Sequence, residues 1–451
     1  MKNYVVILAA GLGSRMKVNE PKCMHEIIKK PMIQYINEAI DDNLNLSKIV
    51  VISKNHLEKF EVALGNEVNF AFQEQQLGTG DAVKTCLELI KDKKGHTLIV
   101  PGDMPLVKKE ELTEFFNYHI NSKNDVSVIT TMLADPNNYG RIIRKNGKLV
   151  AIKEQNEATD DELLIMEVNT GIYCVKNSVL ERLVESNDLP DIIARANKLE
   201  LQVNAFVSKN SQNYIDVNDF YTLAIVESKI KLETNKKHLL NGVNIISPET
   251  VTIASNVVIE PGVTIYPNTF LTGNTRVFTG AVIGPDSEIH NSIIDENTTI
   301  RHSLVTDSFV GKNATVGPFA HLRNNTHIGD KCRIGNYVEI KNSILDVGTK
   351  VAHLTYIGDT QCGKNVNWGC GCVTVNYDGK YKHKTIIGDN AFIGCNTNLV
   401  APLKVGNNVF IAAGSTITDD IPDEAFSIAR ERQITKEEYA NKYNYTKNNK
   451  N

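Results

Sequence analysis

Three clusters in the first quarter of the chain carry groups able to handle a nucleotide. The apolar run 4–9 leads straight into LAAGLGSRM, and Lys22 follows in an EPK turn. Backbone amides of a Gly-rich turn at a strand end can wrap a triphosphate, and Arg15 and Lys22 can offset its charge. A dinucleotide-binding G-x-G-x-x-G reading fails, because Met16 stands where the third Gly is needed. Asp103, in VPGDMPL, closes a second apolar run and offers a hard carboxylate of the kind that holds Mg²⁺ beside phosphates. QEQQLGTGDA, residues 73–82, presents the amides of Gln73 and Gln76 ahead of a Gly78–Thr79 turn, donors and acceptors that suit a pyrimidine edge. Taken singly, the bland alternatives for the last two are a surface Asp capping a turn and an ordinary polar loop.

A different chemistry gathers far downstream. Arg323 (AHLRNN) and Lys341 (EIKNS) are one turn apart in a coil of about eighteen residues, so they are expected to stack as a phosphate clamp. His353 follows in AHLTYIGD, with Tyr356, Asn367 and Asn376 beyond it. A neutral imidazole there could take a proton from an attacking amine, whereas a purely structural His would satisfy a turn carbonyl.

Two kinds of scaffold must hold these groups. In the first half, helices near 31–43, 55–65 and 79–91 alternate with strands at 48–53, 68–72 and 97–103, the pattern of a doubly wound α/β (Rossmann-like) sheet. Ligands of such sheets sit at the strands' carboxyl ends, which puts Gly11, Gln73, Gln76, Gly78, Thr79 and Asp103 on one rim. Asn146-Gly147 joins RIIRK to KLVAIKE as a hairpin of the kind that covers an open sheet edge. A helix near 219–237 has one apolar and one Lys-rich side and reads as a stiff connector, with Asn218 at its N-cap.

The second half is a comb. An aliphatic residue recurs every sixth position from Ile253 to Ile289, again from Val310 to Ile340, and again from Ile387 to Ile417. Seven consecutive hits have a chance of roughly one in ten thousand. A six-residue period with Gly, Asn, Asp, Pro and Thr between the teeth fits a parallel β-helix of stacked hexapeptides. The step slips near 291–309 and loosens through 342–386, where His353 lies.

Composition narrows the partners. Two domains and a connector are expected at 1–217, 218–240 and 241–451 of the 451 residues. A net charge of −4 argues against a nucleic-acid binder, and eight cysteines without a CxxC pair suggest reduced thiols, hence a cytoplasmic setting. The amino end is too short an apolar run for a signal peptide or membrane span. The segment after Ile417 leaves the comb and is expected to cap a neighbouring subunit, with its last ten residues disordered.

The L-A-A-G-x-G-x-R-M motif with its following P-K resembles the signature of sugar-nucleotide pyrophosphorylases, and the comb resembles the hexapeptide acyltransferases, which implies a left-handed coil and a homotrimer. Over essentially the whole chain the pattern resembles the bifunctional uridylyltransferase/acetyltransferase family of UDP-N-acetylglucosamine synthesis, which supplies peptidoglycan precursor. That resemblance implies acetylation of glucosamine-1-phosphate from acetyl-CoA, then UMP transfer from UTP to N-acetylglucosamine-1-phosphate. It implies UTP and sugar contacts from Leu8, Ala9, Ala10, Gly11, Arg15, Lys22, Gln73, Gln76, Gly78, Thr79, Gly140, Glu154, Asn169 and Asn218, with Mg²⁺ on Asp103 and Asn218. It further implies Arg323, Lys341, Tyr356 and Asn367 on glucosamine-1-phosphate, His353 as general base, Asn376 orienting the amine, and Cys370, Asn376, Tyr377, Cys395, Ala413 and Arg430 around acetyl-CoA. Cys395 stands where some members have Ser, and Trp368 where a smaller aliphatic is common. A thiol nucleophile at Cys370 or Cys395 lacks a nearby base, so direct attack by the amine is favoured. The alternative is a monofunctional nucleotidyltransferase whose β-helix serves trimerisation alone.

Overall fold

The computed structural model describes residues 2–443, in two compact units that divide between Ile230 and Lys231. In the first unit, a seven-strand path runs Val203–Ser208, Val126–Met132, Glu167–Lys176, His96–Pro101, Asn3–Leu8, Leu46–Ile52, Asn69–Phe72. The central strands are apolar without alternation because both faces are covered. Val6, Ile49 and Val51 pack on one side with Ala82, Val83 and Leu180, while Val5, Ile7, Val50 and Ile52 pack on the other with Ile33, Phe60 and Phe115.

The sheet is mixed, since Glu167–Lys176 runs antiparallel to both neighbours. Its register shifts between Asn169 and Tyr173, a bulge in which Gly171 has φ 80° and the Asn169 carboxamide oxygen accepts from Gly171 N at 2.9 Å. The hairpin turn is formed by Asn146 and Gly147, both at positive φ, as its type requires. Contrary to expectation, the hairpin pairs with the end of the interior strand, Arg141 opposite Val168, rather than with an edge strand. The expected helices are shorter. The first is Met32–Ala39, and Thr79–Lys84 gives way at once to tighter turns, Cys86 N bonding Val83 O and Leu87 N bonding Lys84 O.

The segment after Ser186 closes tightly on Thr79–Lys84. The Asn187 carbonyl accepts from Gly80 N at 2.6 Å and Asp81 N at 3.3 Å, and Leu189 N donates to the Thr79 hydroxyl. A Cβ on Gly80 would lie 2.5 Å from Ser186 O, so glycine is required by close approach of another backbone.

The long helix is Phe220–Leu240. Its N-cap is Asp219, whose carboxylate accepts from Thr222 N at 2.8 Å, and not Asn218. Nor is it amphipathic as read: Phe220, Tyr221, Leu232 and Leu240 are exposed, and the fully buried positions include Val226 and the polar Asn235, whose amide donates to the carbonyls of Pro248 and Val251.

The second unit is a left-handed parallel β-helix. Strands of mostly two or three residues stack coil on coil, and every tooth of the comb is buried. The slip near 291–309 reflects shorter coils: Ile265 pairs with Ile283 eighteen residues on, but Ile300 with Val316 only sixteen on. The looser stretch keeps its core with other residue types, since Trp368 stacks between Val351 and Ile393 and Thr374 lies beside Leu399. Trp368 is therefore a core residue. The corners hold Asn and Asp at positive φ, among them Asn291, Asp307, Asn325, Asn342 and Asp359, residues that tolerate that region best after glycine. Beyond Ile417, Phe426–Ser427 pairs with Phe410–Ile411 and so adds a last short strand to its own coil. Most of the expected disordered tail lies outside the described residues.

Two stability predictions follow from this packing. Gly80→Ala, which would favour an isolated helix, is expected to lower the urea midpoint by an amount worth about 1–3 kcal/mol, because backbone at Ser186 must shift. His119 is fully buried between His96 Nδ1 at 3.0 Å and the Ser127 hydroxyl at 2.8 Å. Burial, then the His96 charge, pushes it down to about 3. The unfolded chain takes up this proton near pH 6.5 and the folded one does not, so stability falls as pH drops below about 6.5, by about 1.4 kcal/mol per pH unit. Urea titrations at pH 7.5, 6.0 and 5.0 are expected to show a shallower pH slope in His119→Gln.

Candidate active sites

A cleft of about 720 Å³ opens at the carboxyl ends of the central strands. Leu8, Ala10, Gly11, Lys22, Gln73, Gln76, Gly78, Thr79, Asp103, Glu154 and Asn169 all line it. The loop 11–22 is closed on itself by Lys22 N donating to Gly11 O at 3.1 Å, which plants the Lys22 side chain inside. Its ammonium lies 2.5 Å from Asp103 Oδ2 and also donates to Asn218 Oδ1, all three side chains being at least partly buried. Gln73 is buried, and Gln76 reaches back to Ala10 O at 2.6 Å.

Four expected residues lie elsewhere. Ala9 turns its methyl into the core, since the strand's alternation puts it on the face of Val5 and Ile7. Arg15 is exposed, outside the cleft lining, with its charge acting on the Asp219 carboxylate. Gly140 supports from behind, its carbonyl accepting from Asn169 N at 2.9 Å while a Cβ would meet Glu154 Oε1 at 3.0 Å. Asn218 reaches the cleft through Lys22 alone.

Sequence reasoning missed Glu157, Tyr173 and the 188–190 segment, which also line the cleft. Burial, then the carboxylates of Glu157 and Asp188, raises Glu154 above the usual carboxylate range. These residues arrive on a bulge and a distant loop, and no local motif announces them; the Gly-Thr-Gly turn was the available hint that another backbone comes close.

On the β-helix, Arg323 pairs in register with Lys341, as the eighteen-residue coil requires. The Arg323 guanidinium is held by Glu339 Oε1 at 2.6 and 2.9 Å. A loop after Val375 returns Lys382 to Lys341, whose pKa is lowered first by the close approach of the Lys382 ammonium, donor against donor, then by burial and the nearby positive charges. Asp378 pins that loop by accepting from Lys380 N, Tyr381 N and His383 Nε2. Lys382 went unread because only the loop's path, and not its spacing, brings it to the clamp.

His353 lies opposite Asn336, with Nδ1 2.8 Å from the Asn336 Oδ1 atom. With an oxygen there, Nδ1 carries the hydrogen and Nε2 keeps its lone pair. Tyr356 and Asn376 converge on Gly358, where a Cβ would meet the Tyr356 hydroxyl at 2.5 Å and the Asn376 amide at 2.7 Å. Asn367 is on the adjoining face, paired with Lys350 and Phe392, and a single chain does not bring it to Arg323. Tyr377 is exposed at the loop's start. Cys370 and Cys395 occupy neighbouring coils, Asn396 N donating to Cys370 O and Gly414 N to Cys395 O, which continues the column to Ala413, with Arg430 over Gly414.

A nucleotidyl transferase family model matches residues 4–221, and a bacterial transferase hexapeptide model (six repeats) matches 307–342 and 384–419. The unmatched interval between the two hexapeptide blocks contains His353 and residues 376–383 of the loop. Over 450 residues the chain is 48% identical to the bifunctional protein GlmU of Acholeplasma laidlawii, covering 98% of this chain and 97% of that one. It is 42% identical over 458 residues to the bifunctional protein GlmU of a Geobacillus species, covering 99% and 100%, and 43% identical to that of Caldanaerobacter subterraneus, covering 96% of each. Both halves are thus matched together from end to end, and the chain belongs to the GlmU family of bifunctional proteins.

Proposed function

We infer that the two activities of this bifunctional enzyme, glucosamine-1-phosphate acetylation and N-acetylglucosamine-1-phosphate uridylylation, are housed in the two sites described. The observation that carries the reading is the convergence, in one cleft, of a Gly-rich loop, a lysine, an aspartate and two glutamines from separate strand ends. The Gly11 loop and Lys22 take the triphosphate of UTP, Gln73 and Gln76 take the base, and Glu154 and Asn169 take the sugar. The sugar phosphate attacks the α-phosphorus in line and pyrophosphate leaves, with Lys22 offsetting the charge that develops.

Mg²⁺ fits this site. Asp103 and Asn218 already aim hard oxygens at one cation, the Lys22 ammonium. Among the described residues no group of three His, Cys, Asp or Glu side chains could hold a metal, so the donor set suits an ion that keeps waters and shares phosphate oxygens. When bound, Mg²⁺ supplies charge neutralisation for the triphosphate.

On the β-helix, Arg323, Lys341 and Lys382 hold the phosphate of glucosamine-1-phosphate. His353 Nε2 accepts the proton of the amine as its nitrogen attacks the thioester carbonyl of acetyl-CoA, and the coenzyme A thiolate leaves. Asn336 is a positioning residue that keeps the base in the required tautomer. Acetyl-CoA runs along the Cys370, Cys395 and Ala413 column toward Arg430. Asn367 and Arg323 lie on different faces of the prism, which supports a homotrimer in which a neighbouring copy closes the site. The monofunctional alternative is disfavoured, since a mere stem has no need of a pinned imidazole or of three cations gathered at one place on the coil. No helix among the described residues is long and apolar enough to cross a membrane.

His353→Ala is expected to cut acetyl transfer by at least about 100-fold and leave uridylyl transfer intact. Asp103→Asn is expected to do the converse, by about 100-fold, and EDTA to abolish uridylyl transfer while acetyl transfer persists. Separate assays of coenzyme A and pyrophosphate release decide it. Loss of both activities in folded His353→Ala, or uridylyl transfer that survives EDTA, contradicts the assignment.

A further inference from the structure

We infer that Asp81 sets which end of the Gln73 amide faces the base, and so makes the cleft select a uracil edge over a cytosine edge. The inference rests on the reading that this cleft binds the base of UTP. Gln73 is 4% exposed, and its backbone is tied to the sheet by Gln73 N donating to Ile52 O at 3.0 Å. Its Nε2 donates to Gly78 O at 3.1 Å and to Asp81 Oδ2 at 2.8 Å. An amide nitrogen has two hydrogens, and both are used.

The orientation is dictated by the partners. A flipped amide would press Oε1 against a carbonyl oxygen and a carboxylate, lone pair on lone pair, and would leave the half-buried Asp81 Oδ2 without its donor, while Gly78 O would keep only Ala82 N at 3.1 Å. Gln73 therefore shows the cleft Oε1 alone, an acceptor. Gln76 differs, because its amide has, among the described residues, the single partner Ala10 O and keeps a hydrogen free.

The pairing edge of uracil has one donor, N3–H, between two carbonyl oxygens. Cytosine has a lone pair at N3 and an amino group at C4. A fixed acceptor facing N3 bonds uracil and repels cytosine, and such an unpaired contact is the kind that discriminates strongly. Asp81 touches no substrate in this scheme and is a positioning residue. Its own place is set by Asp81 N donating to Asn187 O at 3.3 Å in the first turn of Thr79–Lys84. Without the carboxylate, Gly78 O alone holds the amide, and a half-turn about the terminal torsion shows an NH₂ group able to donate to cytosine N3.

The test is kcat/KM with UTP and with CTP for the full-length enzyme, Asp81→Ala, Asp81→Asn and Gln73→Ala. The ratio between the two nucleotides does not depend on what fraction of a variant is folded. Asp81→Ala is expected to lower the UTP-to-CTP ratio about ten-fold, the worth of one hydrogen bond to a charged group. Asp81→Asn keeps an acceptor oxygen and is expected to restore most of the selectivity. An unchanged ratio in Asp81→Ala with a reduced one in Gln73→Ala overturns the inference and leaves the base in the cleft. Unchanged ratios in both variants overturn the placement of the base as well.

Discussion

No coil of the second unit can bury its own apolar side chain. A strand of two or three residues presents one inward aliphatic, and that side chain is covered only when the coils above and below put theirs in the same column. Each inward residue is worth roughly 1.5–3 kcal/mol once covered, so the columns are held in strict register. The outward neighbours inherit that register. Leu322, Ile340 and Ile357 form one such column, and Arg323 over Lys341 and Glu339 beside Tyr356 are its consequence. The same pairing continues around the corner and sets His353 against Asn336. Placement of the groups proposed for acetyl transfer is therefore decided by residues buried in the coil's core.

The first unit solves its placement differently. Parallel strands end together, and the loops leaving them converge without needing a repeat. What remains is to hold charge inside the converging loops. Lys22 and Asp103 are both largely desolvated, and each makes the other tolerable: removing the lysine would leave a carboxylate facing the Asn218 oxygen without a cation. In the proposed site a triphosphate and its metal would offer both partners better terms, because Lys22 would gain phosphate oxygens and Asp103 a divalent ion. The pair thus keeps the site assembled in a form that substrate can exchange.

Legibility from the sequence followed the range of the interaction. The comb was legible because its contacts recur at a constant interval, and the Gly11, Gln73 and Asp103 clusters because each lies immediately after an apolar run. Contacts made by the path of the chain were not. Asp188 and Leu189 reach the cleft because Gly80 lets a distant backbone approach, and Lys382 reaches Lys341 because Asp378 pins a loop. The N-cap was misplaced by one residue because Asn218 and Asp219 are both good caps, and the choice fell to Asp219 while the Asn218 carboxamide turned to Lys22. Trp368 falls outside the comb because the comb counts aliphatics, whereas the column asks only for an apolar side chain of suitable volume.

Where the comb loosens, the core has not loosened with it. The 376–384 loop leaves after Thr374 has filled its column and returns before Ile387 fills the next, so twenty-five residues separate Trp368 from Ile393 without an inward position being lost. A corner can emit such a loop because its residues make no core contact, whereas a face cannot. The loop then does something that packing alone would oppose. It brings Lys382 against Lys341 within reach of Arg323, with Glu339 holding the arginine, so that Lys341 sits below the ordinary lysine value. Repulsion at this exposed face is modest and screened by salt, but it has one relief, an anion seated among the cations. A stack that needed nothing but stability would have spread these charges along the coil; their concentration at Lys341 supports the proposed seat for a sugar phosphate.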